Sequence, residues 1–371
     1  MILVLHNRYR THGGEERAMA DLVAVAREQL GTDVEVLERD SAALSRGAAA
    51  DALLRGGVDP YEVADAVRRT GARIVHAHNL TPAFGWRALA AARGAGARVV
   101  LHLHNYRLVC AVGTCFTAGA DCTRCHGRDT RPGVRLACRG SHAEAAVYAA
   151  GLALWQRRLL DQADVIAVPS AFARDRLAQL GVDLGGRVAI VPNVVRSYAD
   201  RSRADEGTHV VVVGRLAPEK GVATAIDAWV ATELPLVVIG EGPLEAELRA
   251  RAAGRDVTFA GRVDDVRLAE LRGGAALALV PTCAAETFGL AAAESMAAGL
   301  PVVATRMGAL PDLVPDHDLV APGDVDALAA AARVRFKDVA AGSRAIARVR
   351  ERCAPEVVAA ALREAYDRAM A

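Results

Sequence analysis

The sequence predicts an α/β protein of two lobes, each a parallel sheet covered by helices. Three observations predict it. Short apolar runs alternate with helical stretches along the chain, the βαβα pattern that a parallel sheet requires. Its 371 residues are too many for one ordinary domain and fit two of α/β type. The composition, 52% apolar but only 4% aromatic, suits Ala-rich helices packed closely on sheets more than an aromatic-rich β sandwich.

Charge and composition narrow the classes further. A net charge of +1 offers no field for a polyanion, which argues against nucleic acid as a partner. The apolar run at residues 1–5 stops at His6, with Arg8 and Arg10 following, too short for a signal peptide core or a membrane span, so a cytoplasmic place is expected. Seven cysteines in a chain of this size do not make a disulfide scaffold. Lys220 and Lys337 are the only lysines, and Lys220 falls inside a glycine-containing motif.

In the first half, residues 2–5 read as a buried strand, followed by a Gly13-Gly14 turn into a helix. Such a turn lets backbone approach a ligand, and a helix N-terminus presents free N–H groups to an anion; it is equally read as a plain turn. The stretch lacks G-x-G-x-x-G and G-x-x-x-x-G-K-[ST], which disfavours a dinucleotide-dependent dehydrogenase and a P-loop ATPase. Further strands are predicted at residues 34–37, 74–76, 99–103 and 165–168, with helices at 61–70 and 86–93. His78, Asn79, His104 and Asn105 sit just past strand ends, where open parallel sheets bind ligands. A lone histidine there is as often a loop hydrogen-bonder. Residues 104–140 form a Cys-rich loop in which Cys110, Cys122, Cys125 and Cys138 are the preferred ligands of a structural zinc, with Cys115 and His126 nearby; free thiols or a redox pair are the alternatives. The helix at 144–160, with Trp155, Arg157 and Arg158, suits a domain flank, and weak contact with a membrane surface is the alternative. Ser170 caps a helix over 170–180, residues 188–195 end the lobe, and the polar run 197–207 reads as a linker.

The second half repeats the plan. A strand at 210–213 leads into Arg215, Lys220 and Gly221 at a helix start, two cations suited to a diphosphate. Strands at 236–239, 257–259 and 277–280 follow. Residues 288–298 then form an apolar helix stopped by Gly299 and Pro301, with residues 302–304 as the next strand. Glu286 at its mouth and Glu294 two turns inside lie at i, i+4, i+8 spacing with Leu290, so both acids are expected on one face. A carboxylate there requires a polar partner such as a sugar hydroxyl, unless the edge is simply solvated.

GRLAPEKG, IGEGP, VTFAGRV and the E-x7-E of Glu286 and Glu294, in this order, resemble the retaining glycosyltransferases of family 4, as do the GG-E segment, VHAHN and HNYRLVC of the first half. The resemblance covers nearly the whole chain. It implies a GT-B fold: two Rossmann-like doubly wound lobes facing across a cleft, an acceptor-binding lobe at 1–196, a nucleotide-sugar lobe at 207–352, and a C-terminal helix within 353–371 crossing back to the first lobe. It implies that Arg215 and Lys220 hold the donor diphosphate, that Glu286 and the backbone of Thr287, Phe288, Gly289 and Leu290 meet the sugar and phosphate, and that Glu294 holds the ribose. Arg262 and Val263 would lie at the base, Gly14 would lend its amide to the diphosphate, and His104 would stand near the sugar. The implied reaction is transfer from a UDP- or GDP-linked sugar to a hydroxyl acceptor with retention, without a cofactor for catalysis. No acid in the first lobe announces itself as a nucleophile, which favours a front-face route with Arg215 and Lys220 offsetting the departing phosphate; Glu286 as nucleophile is the minor alternative. A sugar-nucleotide-binding protein without turnover and a GT-B epimerase or phosphorylase are the readings from other classes. Nothing in Arg8, Arg10, His12 or the Cys-rich loop identifies the acceptor.

Overall fold

The structure, a computed structural model, describes residues 1–9, 13–229 and 234–371. Arg10 and His12 lie outside the described residues. The chain divides into two compact units, one of residues 1–115, 122–194 and 355–371, the other of residues 116–121 and 195–354.

The first unit runs β1 (Ile2–Arg8), α1 (Gly14–Leu30), β2 (Val34–Asp40), α2 (Arg46–Arg55), α3 (Pro60–Thr70), β3 (Ile74–Ala77), α4 (Gly85–Gly94) and β4 (Arg98–His102). The loop after β4 carries a two-stranded hairpin, β5 (Phe116–Thr117) and β6 (Ala120–Asp121), and leads to α5 (Arg131–Arg135) and α6 (His142–Asp161). Then come β7 (Val165–Val168), α7 (Ala171–Gln179) and β8 (Val188–Ile190). The six-stranded sheet has the order β2-β1-β3-β4-β7-β8, and every pairing in it is parallel. Local sequence explains the elements: Glu16 reaches back to the amide of Gly13 at 2.9 Å to close the start of α1, and Asp59 with Pro60 opens α3.

The second unit contains β9 (His209–Val213), α8 (Val222–Ala228), β10 (Leu236–Ile239), α9 (Glu245–Arg251), β11 (Val257–Gly261), α10 (Asp265–Gly273) and β12 (Ala275–Val280). It continues with α11 (Leu290–Ala297), β13 (Val302–Thr305), α12 (Leu310–Leu313), β14 (Leu319–Val320), α13 (Val325–Arg335) and α14 (Val339–Cys353). Its sheet is also parallel and six-stranded, in the order β11-β10-β9-β12-β13-β14. Alternate residues serve opposite layers: Val210, Val212 and Leu279 pack with α8 and α13, while Val211, Ala278 and Val302 pack with α11 and α14. Both faces are therefore covered, as near-continuous apolar strands demand.

Three expectations are corrected. The boundary falls between Val194 and Val195, and residues 197–207 are not a free linker: Ala199 donates its amide to Ala297 and Ser202 its hydroxyl to Gly299, tying the segment to the end of α11. The helix expected from Phe288 begins at Leu290, because Gly289 adopts the left-handed conformation at φ 96°. Glu286 consequently lies in the preceding loop, so helical spacing does not align it with Glu294. The C-terminal helix expected within 353–371 is no correction: it is α15 (Pro355–Met370), in the first unit, where Val358, Leu362 and Tyr366 pack with Met19 and Leu22 of α1 and with Val100 of the sheet.

Leu362 is fully buried in that layer. Leu362→Ala is expected to destabilise the first unit by about 2–5 kcal/mol through the cavity left behind. Calorimetry would show the loss, whereas the same replacement at exposed Glu364 would leave the unfolding midpoint near its starting value.

Candidate functional site

In the second unit the candidate residues stand at the carboxyl ends of the strands. The loop after β9 and the loop after β12 are fastened together, the Cys283 amide and the Thr282 hydroxyl both donating to the carbonyl of Glu219 at 2.8 and 2.9 Å. Gly221 makes this approach possible, since a Cβ there would stand 1.9 Å from the carbonyl oxygen of Pro281. Across the joint Lys220 Nζ donates to Glu286 Oε1 at 2.5 Å, and Thr282 Oγ1, whose proton goes to Glu219, lies 3.3 Å from the same oxygen. The backbone of Glu286 is fixed from the other side, its carbonyl accepting from the Ala309 amide at 2.9 Å, and Gly308 leaves no room for a side chain beside it. Arg215 forms an ion pair with the buried Glu219.

Glu294 takes a different partner. Its Oε2 accepts from Arg272 of α10 at 2.5 Å, with 7% of the arginine side chain and 13% of the glutamate exposed. The polar group that the apolar helix demands is thus supplied inside the protein, and sequence reading missed Arg272. The expectation that Glu286 and Glu294 share one face fails here too: they engage Lys220 and Arg272 separately. The side chain of Phe288 enters the core and leaves only its backbone for a ligand. Arg262 follows β11 and pairs with Glu241 at 3.8 Å, while Val263 packs against the core.

The first unit brings together a set that sequence reading caught only in part. β1, β3 and β4 are parallel and in register, with Leu5 beside Ala77 and Ala77 beside Leu101. One residue further, the same register sets His6, His78 and His102 in a row, with His76 before and His104 after it on the same face. Tyr366 of α15 meets His76 Nδ1 at 2.9 Å, His76 Nε2 meets His102 Nδ1 at 3.2 Å, and His78 Nδ1 meets His104 Nε2 at 2.8 Å. Burial pushes all five imidazoles below the usual histidine range, His76 and His104 to about 3, so they are neutral. Among the described residues His76, His78 and His102 are the group whose ligand atoms lie within 4.8 Å of one another. Both nitrogens of His76 are engaged, so the set is a hydrogen-bonded ladder as it stands.

Glu15 lies beside this ladder. Its Oε2 accepts from the Tyr9 hydroxyl at 2.6 Å and from Asn105 Nδ2 at 2.9 Å, and desolvation raises its carboxyl above the usual range against the pull of these bonds and of Arg107. Its neighbour Glu16 caps α1 and accepts from the Tyr9 amide at 3.1 Å; nothing in the sequence distinguishes the two without the fold. Gly14 is the first residue of α1. The four cysteines proposed as ligands gather loosely: Cys125 is pushed up to about 11, first by desolvation and then by Cys110, Cys122 and Cys138. Cys110 is drawn down to about 6 by its bond with Cys115. No three of the cysteine sulfurs lie within 4.8 Å of one another among the described residues, wider than the roughly 3.8 Å edge of a zinc–thiolate tetrahedron. No described helix is long and apolar enough to cross a membrane.

Comparison with known proteins places this geometry. Residues 11–194 match the glycosyl transferase 4-like domain and residues 207–338 the glycosyl transferases group 1. A GDP-mannose-dependent α-(1-6)-phosphatidylinositol dimannoside mannosyltransferase of Mycobacterium tuberculosis is 34% identical over 185 residues, 46% of this chain and 48% of that one. The D-rhamnosyltransferase WbpZ of Pseudomonas aeruginosa is 37% identical over 100 residues, 26% of each. The chain thus spans about half the length, or less, of the curated relatives it matches. Among solved structures, sucrose-phosphate synthase from Thermosynechococcus elongatus superposes with a TM-score of 0.71 at 19% identity, covering 100% of this chain and 99% of that one. Anabaena HepE in complex with UDP-glucose superposes with 0.64 at 18% identity, covering 98% and 99%.

The histidine ladder predicts an acid-labile protein. An imidazole held below its unfolded value binds fewer protons in the folded chain, so its contribution is complete above about pH 6.5 and is lost as pH falls toward the folded value near 3. Each histidine adds up to about 1.4 kcal/mol per pH unit to the slope. Urea unfolding between pH 7.5 and 4.5 should show stability falling steeply below about pH 6; a flat profile would show that the ladder takes up protons without unfolding.

Proposed function

The chain belongs to the glycosyltransferases of the GT-B fold, and from that premise we propose that it moves a sugar from a nucleotide-diphosphate donor, UDP- or GDP-linked, to a hydroxyl acceptor with retention. The observation that carries the reading is the locked pair of loops holding Lys220 on Glu286 with Arg215 on the same loop. A diphosphate brings two negative charges to cations that are already positioned, and takes the place of carboxylates on them. Glu286, released from Lys220, then accepts hydroxyls of the donor sugar, and the backbone of residues 287–290 faces the sugar and phosphate. Glu294, oriented by Arg272, receives the ribose hydroxyls, with Arg262 and Val263 at the base. The departing phosphate, its charge offset by Arg215 and Lys220, takes the proton of the attacking hydroxyl on the same face. Similar proteins support a UDP or GDP donor, one relative being GDP-mannose-dependent and one fold neighbour holding UDP-glucose. In this reading the first unit receives the acceptor, with Gly14 and His104 as its contributions to the reaction. The reading needs no cofactor for catalysis, and zinc on Cys110, Cys122, Cys125 and Cys138 would be structural.

Thermal shift against UDP, GDP, ADP and dTDP tests the donor class, because a ligand of the folded state raises the midpoint with concentration. One nucleotide is expected to stabilise the protein and Lys220→Ala to abolish the effect; no shift with any of them in folded protein would end the transferase reading. Glu286→Gln should retain the nucleotide shift while lowering turnover by about 100-fold or more. Glu294→Ala would strand a buried Arg272 and cost about 3–5 kcal/mol of stability, so Glu294→Gln, which keeps that contact, is the fair test of ribose binding. An undiminished nucleotide affinity in Glu294→Gln would remove the ribose assignment. Elemental analysis of purified protein, about one zinc per chain against none, decides the metal.

A further inference from the structure

The first unit contains a pocket of about 90 Å³ whose wall and end differ in chemistry. The wall is apolar, formed by Leu53 of α2, Trp86 of α4, and Leu152, Trp155 and Leu159 of α6. The last three follow one another at i, i+3, i+7, one stripe of a helix. That stripe is only half-buried by the protein itself. The two indole rings stand 5.7 Å apart, and Arg158 lies 5.1 and 5.2 Å from them, fixing the aromatic pair. Helices α2 and α6 meet closely enough that a Cβ on Gly151 would come within 2.6 Å of Leu53, so this wall depends on a glycine in mid-helix. Gln156, the polar residue of α6 that borders the pocket, spends its amide on the carbonyls of Leu108 and Gly127.

The polar end of the lining includes Glu15, His104 and Asn105, with His78, Asn79, His102 and Arg107 also lining the pocket. A polyol lying along the wall would leave its hydroxyls without partners there, whereas a single hydroxyl at the end meets the Glu15 carboxylate, which Asn105 and Tyr9 hold in place through Oε2. Exposed Leu54 and Leu154 carry the apolar surface outward beside Trp155, whose indole N–H donates to the carbonyl of Leu54 at 3.0 Å.

We propose that the acceptor is an alcohol on an apolar body, the body packed between Trp86, Trp155 and the leucines of α6 and the hydroxyl received at the Glu15–Asn105 end. The proposal rests on the reading that the first unit takes the acceptor. Its chemistry is shared by a soluble amphiphile and a membrane lipid, and the test separates them.

Tryptophan fluorescence of the full chain would be titrated with n-alkan-1-ols from hexanol to nonanol, with glycerol as the polar control. Affinity is expected to rise about fourfold per added methylene, the value that about 0.8 kcal/mol per buried CH₂ gives, with no response to glycerol. Trp155→Ala and the pocket-filling Leu152→Trp should each abolish the chain-length dependence while keeping the nucleotide thermal shift of the unaltered chain. Affinity independent of chain length, or a dependence that survives in both variants, would overturn the proposal. A flat alkanol series beside an intact nucleotide shift removes the pocket assignment and leaves the transferase reading standing; chain-length dependence without any nucleotide shift does the reverse. Co-sedimentation with phosphatidylglycerol vesicles that requires Trp155 assigns a lipid source, and alkanol binding without co-sedimentation assigns a soluble one.

Discussion

Parallel strand register is the constraint on which the rest depends. A parallel sheet buried on both faces has to keep its strands apolar, so groups able to do chemistry collect where the strands end. In the second unit this puts Arg215, Lys220 and Arg262 after β9 and β11, and Glu286 after β12. In the first unit the same register carries five histidines to the ends of β1, β3 and β4, where His76, His78, His102 and His104 stack on one another and His6 is buried beside them. The sheet supplies the positions, and the loops supply the side chains.

The second unit holds its cations against carboxylates. Lys220 rests on Glu286, Arg215 on Glu219 and Arg272 on Glu294. These pairs differ in depth, and depth sets their roles. Lys220 and Glu286 retain 32% and 22% exposure, so water screens the pair and an incoming diphosphate can exchange with it at modest cost. Arg272 and Glu294 are drier, and breaking that pair would leave a charge without compensation. In the proposed donor site, binding would therefore be an exchange at the shallow pair around a fixed deep one.

Much of this was legible in the sequence. Apolar runs and glycine stops gave the strands, and the two lobes followed from length and from the repeat of βα units. Arg215, Lys220 and Glu286 were legible because a rare lysine and an acid beside an apolar helix are unusual for their context. Arg272 was hidden, since an arginine in an amphipathic helix reads as solvated until the fold turns it inward. The ladder was half visible: i, i+2 histidines at two strand ends mark a face, but only inter-strand register, which no single strand encodes, stacks one pair on the other. Glu15 was masked by Glu16, because both occupy the first turn of α1 and only tertiary contacts with Tyr9 and Asn105 separate them. In the Cys-rich loop composition suggested a ligand set, and the fold brings Cys110, Cys122 and Cys138 near Cys125.

Neutrality of the ladder limits what the first unit can do with a proton. An imidazole held near 3 by burial is a weak base, and His104 already meets His78 through Nε2, so a hydrogen bond it offers a ligand is a neutral one. Glu15 differs, being a carboxylate that burial makes more basic and that Tyr9 and Asn105 hold through one oxygen. In the transfer proposed above, a hydroxyl placed against Glu15 would be oriented and polarised, while the proton would go to the departing phosphate. Burial thus leaves the strand ends of the first unit with uncharged imidazoles and one carboxylate of raised basicity, groups suited to orienting a hydroxyl.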